Sequence, residues 1–156
     1  MDIELQLAIE NLLARYVHAL DEGRLEDWPE LFVESGRYRI TTAENYERGL
    51  PLSVLYADSR AMLRDRVTAL RHANIYEAQR YRHTVSSTLV ERQGPDRARA
   101  ASHFQAVRIM NTGESMLFAT GRYLDIIRLS GGAARFEEKI VVCDSRRFDT
   151  LLAIPL

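Results

Sequence analysis

A chain of 156 residues, 46% hydrophobic and 28% charged, carries enough apolar material for one packed core, and it reads as a single domain over residues 1–156. Its formal net charge of −1 excludes a general electrostatic attraction to nucleic acid or to an anionic membrane. The single cysteine, Cys143, excludes an intrachain disulfide and a metal cage built on thiolates, and it suits a reducing, cytoplasmic compartment.

The opening stretch MDIELQLAIENLLARY mixes acids with apolar residues, unlike a secretory signal. Over residues 3–21, Leu5, Ile9, Leu12, Leu13, Tyr16, Val17 and Leu20 recur at steps of three and four, which predicts a helix with one apolar stripe. Gly23 stands where a helix C-terminal cap belongs. RLEDWPELF predicts a short second helix with Trp28, Leu31 and Phe32 turned inward and Pro29 near its first turn. SGRYRITT reads as a strand, and AENYERGLPLSV as irregular. Asp58 is a candidate cap for a third helix, DSRAMLRDRVTALRHA, with Met62, Val67 and Leu70 as its inner edge.

From residue 80 the hydrophobic period changes from 3.6 to 2. Strands are predicted at 80–92, 97–111, 114–129 and 134–145, joined by Gly-bearing turns in RQGPDR, MNTGES and LSGGAA. Strands of that length exceed the usual five or six residues and curl as they twist. Three N-terminal helices packed on a strongly curved, mostly antiparallel sheet make a cone-shaped α+β fold. The closing stretch DSRRFDTLLAIPL ends apolar, so it docks against its own chain or against another subunit.

The chemistry-bearing residues are sparse. His18, His72, His83 and His103 make neither an H-x-x-x-H nor an H-E-x-x-H spacing, so no metal site is expected. RLSGGAA lies between strands and lacks both phosphate-loop patterns, and Cys143 in KIVVCDS reads as a buried, inert thiol. The arginines Arg60, Arg64, Arg66, Arg71, Arg80 and Arg82 are balanced by acids and read as a solvated or interface mosaic. One acid–base reading stands. Cone-shaped enzymes such as ketosteroid isomerase use an Asp or His base with a Tyr or acid donor inside the cone. Tyr16, His83 and Asp125 are the candidates here, for a stand-alone isomerase, dehydratase or cyclase. In the plainer alternative His83 bonds a main-chain carbonyl or an acid at the rim. A third reading is a small-ligand-binding module with an empty cone.

Several stretches resemble one family closely. DWPELF, DSRAMLRDRV, RYRH followed by a small-residue strand, GRYLDIIRL, KIVVCDS and the closing IPL look like the small (beta) subunit of Rieske-type aromatic-ring-hydroxylating dioxygenases. Within that family the chain is most similar to subunits acting on aromatic carboxylates of the terephthalate or salicylate type. The resemblance implies the cone of nuclear transport factor 2, ketosteroid isomerase and SnoaL-type proteins. It implies a large (alpha) partner subunit, commonly in an α3β3 hexamer with the small subunits associated as a trimer, fed by a reductase or ferredoxin. It also implies that the Rieske 2Fe–2S cluster and a mononuclear Fe(II) belong to the large partner, with no cofactor and no catalytic residue here. The residues themselves suggest supporting roles: Asp58 as a helix cap, Arg66 and His83 in a polar network at the rim or a subunit contact, and Ile154, Pro155 and Leu156 docked on a neighbouring surface.

Overall fold

The computed structural model describes residues 1–72, 78–145 and 154–156. The expected helix end at Ala73 and the stretch 146–153 lie outside them. Helix α1 spans Ile3–Asp21, capped by the Asp2 carboxylate, which accepts from Leu5 N at 3.1 Å. Its buried residues are Leu5, Ile9, Leu12, Leu13, Tyr16, Ala19 and Leu20, the stripe that its spacing predicts.

The expected second helix is absent; a single 3-10 turn, Pro29–Leu31, takes its place. Proline has no amide to donate and crowds the preceding turn, so the helix cannot extend through it. Trp28, Leu31 and Phe32 are nonetheless buried. Strand β1 is Phe32–Thr42 and helix α2 is Ala43–Glu47, in a segment expected to be irregular. The Thr42 hydroxyl caps α2 by accepting from Asn45 N at 3.2 Å. A three-residue strand β2, Leu55–Ala57, escaped the sequence reading. Helix α3 spans Arg60–His72 and buries Leu63, Val67 and Leu70; Met62, expected inside, is exposed.

The four long strands are β3 (Gln79–Arg92), β4 (Arg97–Met110), β5 (Ser115–Ser130) and β6 (Ala133–Cys143). They form one six-stranded sheet in the order β2-β1-β6-β5-β4-β3. Every neighbouring pair is antiparallel except β1 with β6. The helices pack on this curved, open sheet, as the α+β reading requires. Among the described residues no helix is long and apolar enough to cross a membrane.

Two local features shape the interior. A β-bulge between Ser86 and Leu89, with Ser87 at φ +55°, breaks the alternation of β3. Tyr81 and His83, before the bulge, point inward, whereas Leu89, after it, is turned out to solvent. At Gly121 a Cβ would lie 2.0 Å from the Val142 carbonyl oxygen, so only glycine lets β5 and β6 approach here. Phe104 and Tyr123 then stack in parallel, with centroids 4.6 Å apart.

Candidate functional site

The interior between α1 and the sheet is lined with rings. Tyr16 meets Tyr123 and Phe136 edge-on, with centroids 5.7 and 5.6 Å away. Trp28, Phe32 and Tyr38 meet one another edge-on at 5.2–6.1 Å. Each of these side chains is fully buried, worth on the order of 2–3 kcal/mol apiece. The polar groups among them form three contacts.

The first joins helix α1 to strand β3. The Asp21 carboxylate accepts from His83 N at 2.8 Å, and its other oxygen lies 2.5 Å from His83 Nδ1. An ionised carboxylate only accepts, so Nδ1 carries the proton in this contact. The imidazole is wholly buried, and Nε2 has no hydrogen-bond partner among the described residues.

The second joins β5 to β6, where Asp125 and Lys139 stand directly opposite in register. Lys139 Nζ lies 3.2 Å from both oxygens of Asp125, and both side chains are fully buried. The ammonium also sits 3.6 Å from the Tyr123 ring centroid, 4.3 Å from that of Tyr16 and 4.5 Å from that of Phe136. Burial pushes the Asp125 carboxyl up to about 6, against the pull of Lys139. Burial likewise lowers the Lys139 ammonium to about 8, against the pull of Asp125.

The third is the contact of residue 156. The Tyr16 and Tyr38 hydroxyls converge on the main-chain oxygen of Leu156, at 2.5 and 2.8 Å, and lie 3.2 Å from each other. Burial raises both phenols above their ordinary range, so they act as neutral donors. The Leu156 side chain is fully buried and Ile154 nearly so.

The structure brings Asp125 and Tyr16 to the same Lys139 ammonium, which bonds the carboxylate and faces the Tyr16 ring, whereas His83 engages Asp21 and the Tyr16 hydroxyl engages Leu156. Asp58 is exposed and does not cap α3; the neighbouring Ser59 does, its hydroxyl accepting from Met62 N at 3.2 Å. Arg66 lies half-buried beside Tyr38, and burial lowers its proton affinity. Ile154, Pro155 and Leu156 are buried within this chain. Arg64 and Arg71 pair with Glu30 and Glu26, and Arg60 donates to the Phe32 carbonyl, so these arginines clamp α3 to the turn-rich stretch after α1.

Sequence reasoning missed Asp21, Tyr38 and Lys139. The last had a partial signal. The turn at Ser130 and Ala133 would set Asp125 opposite Glu138, but a register shift between Ile126 and Ile127 brings Lys139 there instead.

The SnoaL-like domain family matches residues 1–139. The chain is 42% identical over 153 residues to terephthalate 1,2-dioxygenase, terminal oxygenase component subunit beta 1, from a Comamonas species, covering 98% of each. It is 38% identical over 155 residues to the anthranilate 1,2-dioxygenase small subunit of Burkholderia cepacia, covering 99% of this chain and 96% of that one. The chain belongs to the family of small (beta) subunits of aromatic-ring-hydroxylating dioxygenases. A solved Novosphingobium aromaticivorans structure described as such a beta subunit superposes with a TM-score of 0.89 at 38% identity, covering 97% of each chain.

A Rieske centre takes two cysteines and two histidines, and this small subunit has one cysteine. Cys143 is buried, and burial pushes its thiol up to about 12, far from the thiolate a metal requires. Among the described residues no three His, Cys, Asp or Glu side chains come together as a metal site. The residues of this subunit do not fit the family's cluster.

Proposed function

We propose that this chain is a non-catalytic structural small subunit that supports a large oxygenase subunit hydroxylating an aromatic carboxylate of the terephthalate or salicylate type with dioxygen. In this reading the large partner holds the Rieske 2Fe–2S cluster and the mononuclear Fe(II), the assembly is α3β3 with the small subunits associated as a trimer, and a reductase or ferredoxin supplies electrons. The reading rests above all on one observation: the interior, where an enzyme of this shape would hold substrate, is taken up by Leu156 on the two phenols. Each acid–base candidate is already engaged in its own contact. Named relatives being subunits of dioxygenases for terephthalate and anthranilate, both aromatic carboxylates, supports the substrate class. Exposed Leu52, Val54, Tyr56, Leu89 and Leu117 offer the apolar surface that a permanent subunit contact needs.

The test is to assay terephthalate, salicylate and anthranilate with this chain alone, with its cognate large subunit alone and with the two co-purified. Turnover confined to the co-purified complex, with iron only in the large chain, is the expected result. Turnover or stoichiometric iron in the isolated small chain overturns the reading.

A further inference from the structure

The outward face of the sheet, turned away from the aromatic interior, carries a polar depression of about 360 Å³. Its lining includes Ser86, His103, Gln105, Thr120, Arg122 and Asp144. Strand register assembles it in two neighbouring rows. Ser86 stands opposite His103, and His103 opposite Arg122; two residues along, Gln105 stands opposite Thr120. Side chains two apart on a strand share a face, so these groups project together while Phe104 and Tyr123 are buried behind them. Arg37, Arg64, Arg71, Arg92, Arg97 and Arg128 each pair with an acid. Arg122 differs: it is half-buried, lies 5.4 Å from the Tyr46 ring centroid, and has no acid partner among the described residues. The ring takes the face of the guanidinium and leaves its in-plane N–H groups for an acceptor. Asp144, the acid in the depression, is engaged elsewhere: its carboxylate accepts from the Thr120 hydroxyl at 2.9 Å. Like charges directly opposite across two strands are unfavourable, so a protonated His103 beside Arg122 gains from an anion between them.

We propose that this depression on the outward face of β3, β4 and β5 is a binding site for one small free carboxylate, held by Arg122 with His103 and Ser86. A planar guanidinium meets a carboxylate through two parallel N–H···O bonds, and the imidazole and hydroxyl supply further donors from the adjoining strands. The floor of the depression is sheet, so its donors are fixed by strand register and not by a loop. The site lies on the opposite face of the sheet from Tyr16, Tyr38 and Leu156 and is independent of the structural role proposed for the chain.

The test is an NMR titration of the full-length chain with benzoate, and with benzamide as a neutral analogue of the same shape. Benzoate is expected to shift the amide resonances of His103, Thr120 and Arg122 and to bind at least about tenfold tighter than benzamide, the scale of one charge-assisted hydrogen bond. Arg122→Gln should weaken benzoate at least about tenfold and leave benzamide unchanged. Arg99→Gln, an exposed position of β4 outside the depression, should change neither. Equal binding of the two probes, benzoate affinity untouched by Arg122→Gln, or shifts confined to other residues overturns the proposal. The resonance shifts and the benzoate-to-benzamide ratio are read on the native chain, so they decide the matter even where Arg122→Gln does not fold.

Discussion

Tyr38 donates its phenolic proton to the main-chain oxygen of Leu156 across 2.8 Å, between residues 118 positions apart in sequence. That bond ties strand β1 to residue 156 inside the cone. Replacing Tyr38 by Phe keeps the ring packing on Trp28 and Phe32 and removes only the donor. The substitution is expected to lower the unfolding free energy by about 1 kcal/mol, measured by urea titration. Because Tyr16 shares the same acceptor, the Tyr16→Phe/Tyr38→Phe double variant should lose more than the sum of the singles.

The Asp125–Lys139 pair is buried without solvent to compensate a lone charge. Removing one partner, as in Lys139→Met, should destabilise by about 3–5 kcal/mol. Asp125→Leu with Lys139→Met should recover most of that loss, because it restores neutrality at similar volume.

The same pair sets a pH dependence. The folded Asp125 carboxyl is raised from 3.8 to about 6, so its contribution is present below pH 3.8 and is lost as pH rises through 6. The folded Lys139 ammonium is lowered from 10.5 to about 8, so its contribution is present above pH 10.5 and is lost as pH falls through 8. The stability difference between the native chain and the doubly apolar variant should therefore be least favourable to the native chain between pH 6 and 8. Guanidinium unfolding of both proteins across pH 4–10 measures it; a flat difference would contradict the assignment.

Asp21→Asn weakens the contact that fixes His83, replacing a charge-assisted acceptor by a neutral one. A loss of about 2 kcal/mol is expected in thermal or chemical unfolding. In the assembled oxygenase, the structural role proposed for this contact predicts kcat and KM per complex within about twofold of the native values. A drop of about a hundredfold in kcat with normal assembly, the scale of a lost general base, would instead mark His83 as a reacting group.

Gly121→Ala would drive a methyl group against the Val142 carbonyl, 2.0 Å from where its Cβ must stand. Separation of β5 from β6 is expected to cost about 3 kcal/mol, visible as a lower denaturation midpoint with secondary structure retained by circular dichroism.

Much of the architecture was legible because it depends on local period. The α1 stripe, the four long strands and their Gly-bearing turns are properties of adjacent residues, and family-specific stretches such as DWPELF and IPL pointed to the dioxygenase small subunits. Local rules failed where one residue overrode a pattern. Pro29 reduced a helix to a 3-10 turn, and Ser59 displaced Asp58 as the cap of α3.

The burial of Tyr16 and the inward side of His83 followed from helical and strand periodicity alone, because a period tells which face a side chain takes. What each side chain meets on that face depends on elements far away in sequence. A one-residue shift in β5 and β6 put Lys139, not Glu138, opposite Asp125, and the packing of α1 against β3 brought Asp21 to His83. Leu156 reached the two phenols only because strands and helices closed around it. Periodicity is a short-range property of the chain; the choice of partner is a long-range one, made by burial, and it gave Tyr16, His83 and Asp125 their partners Leu156, Asp21 and Lys139.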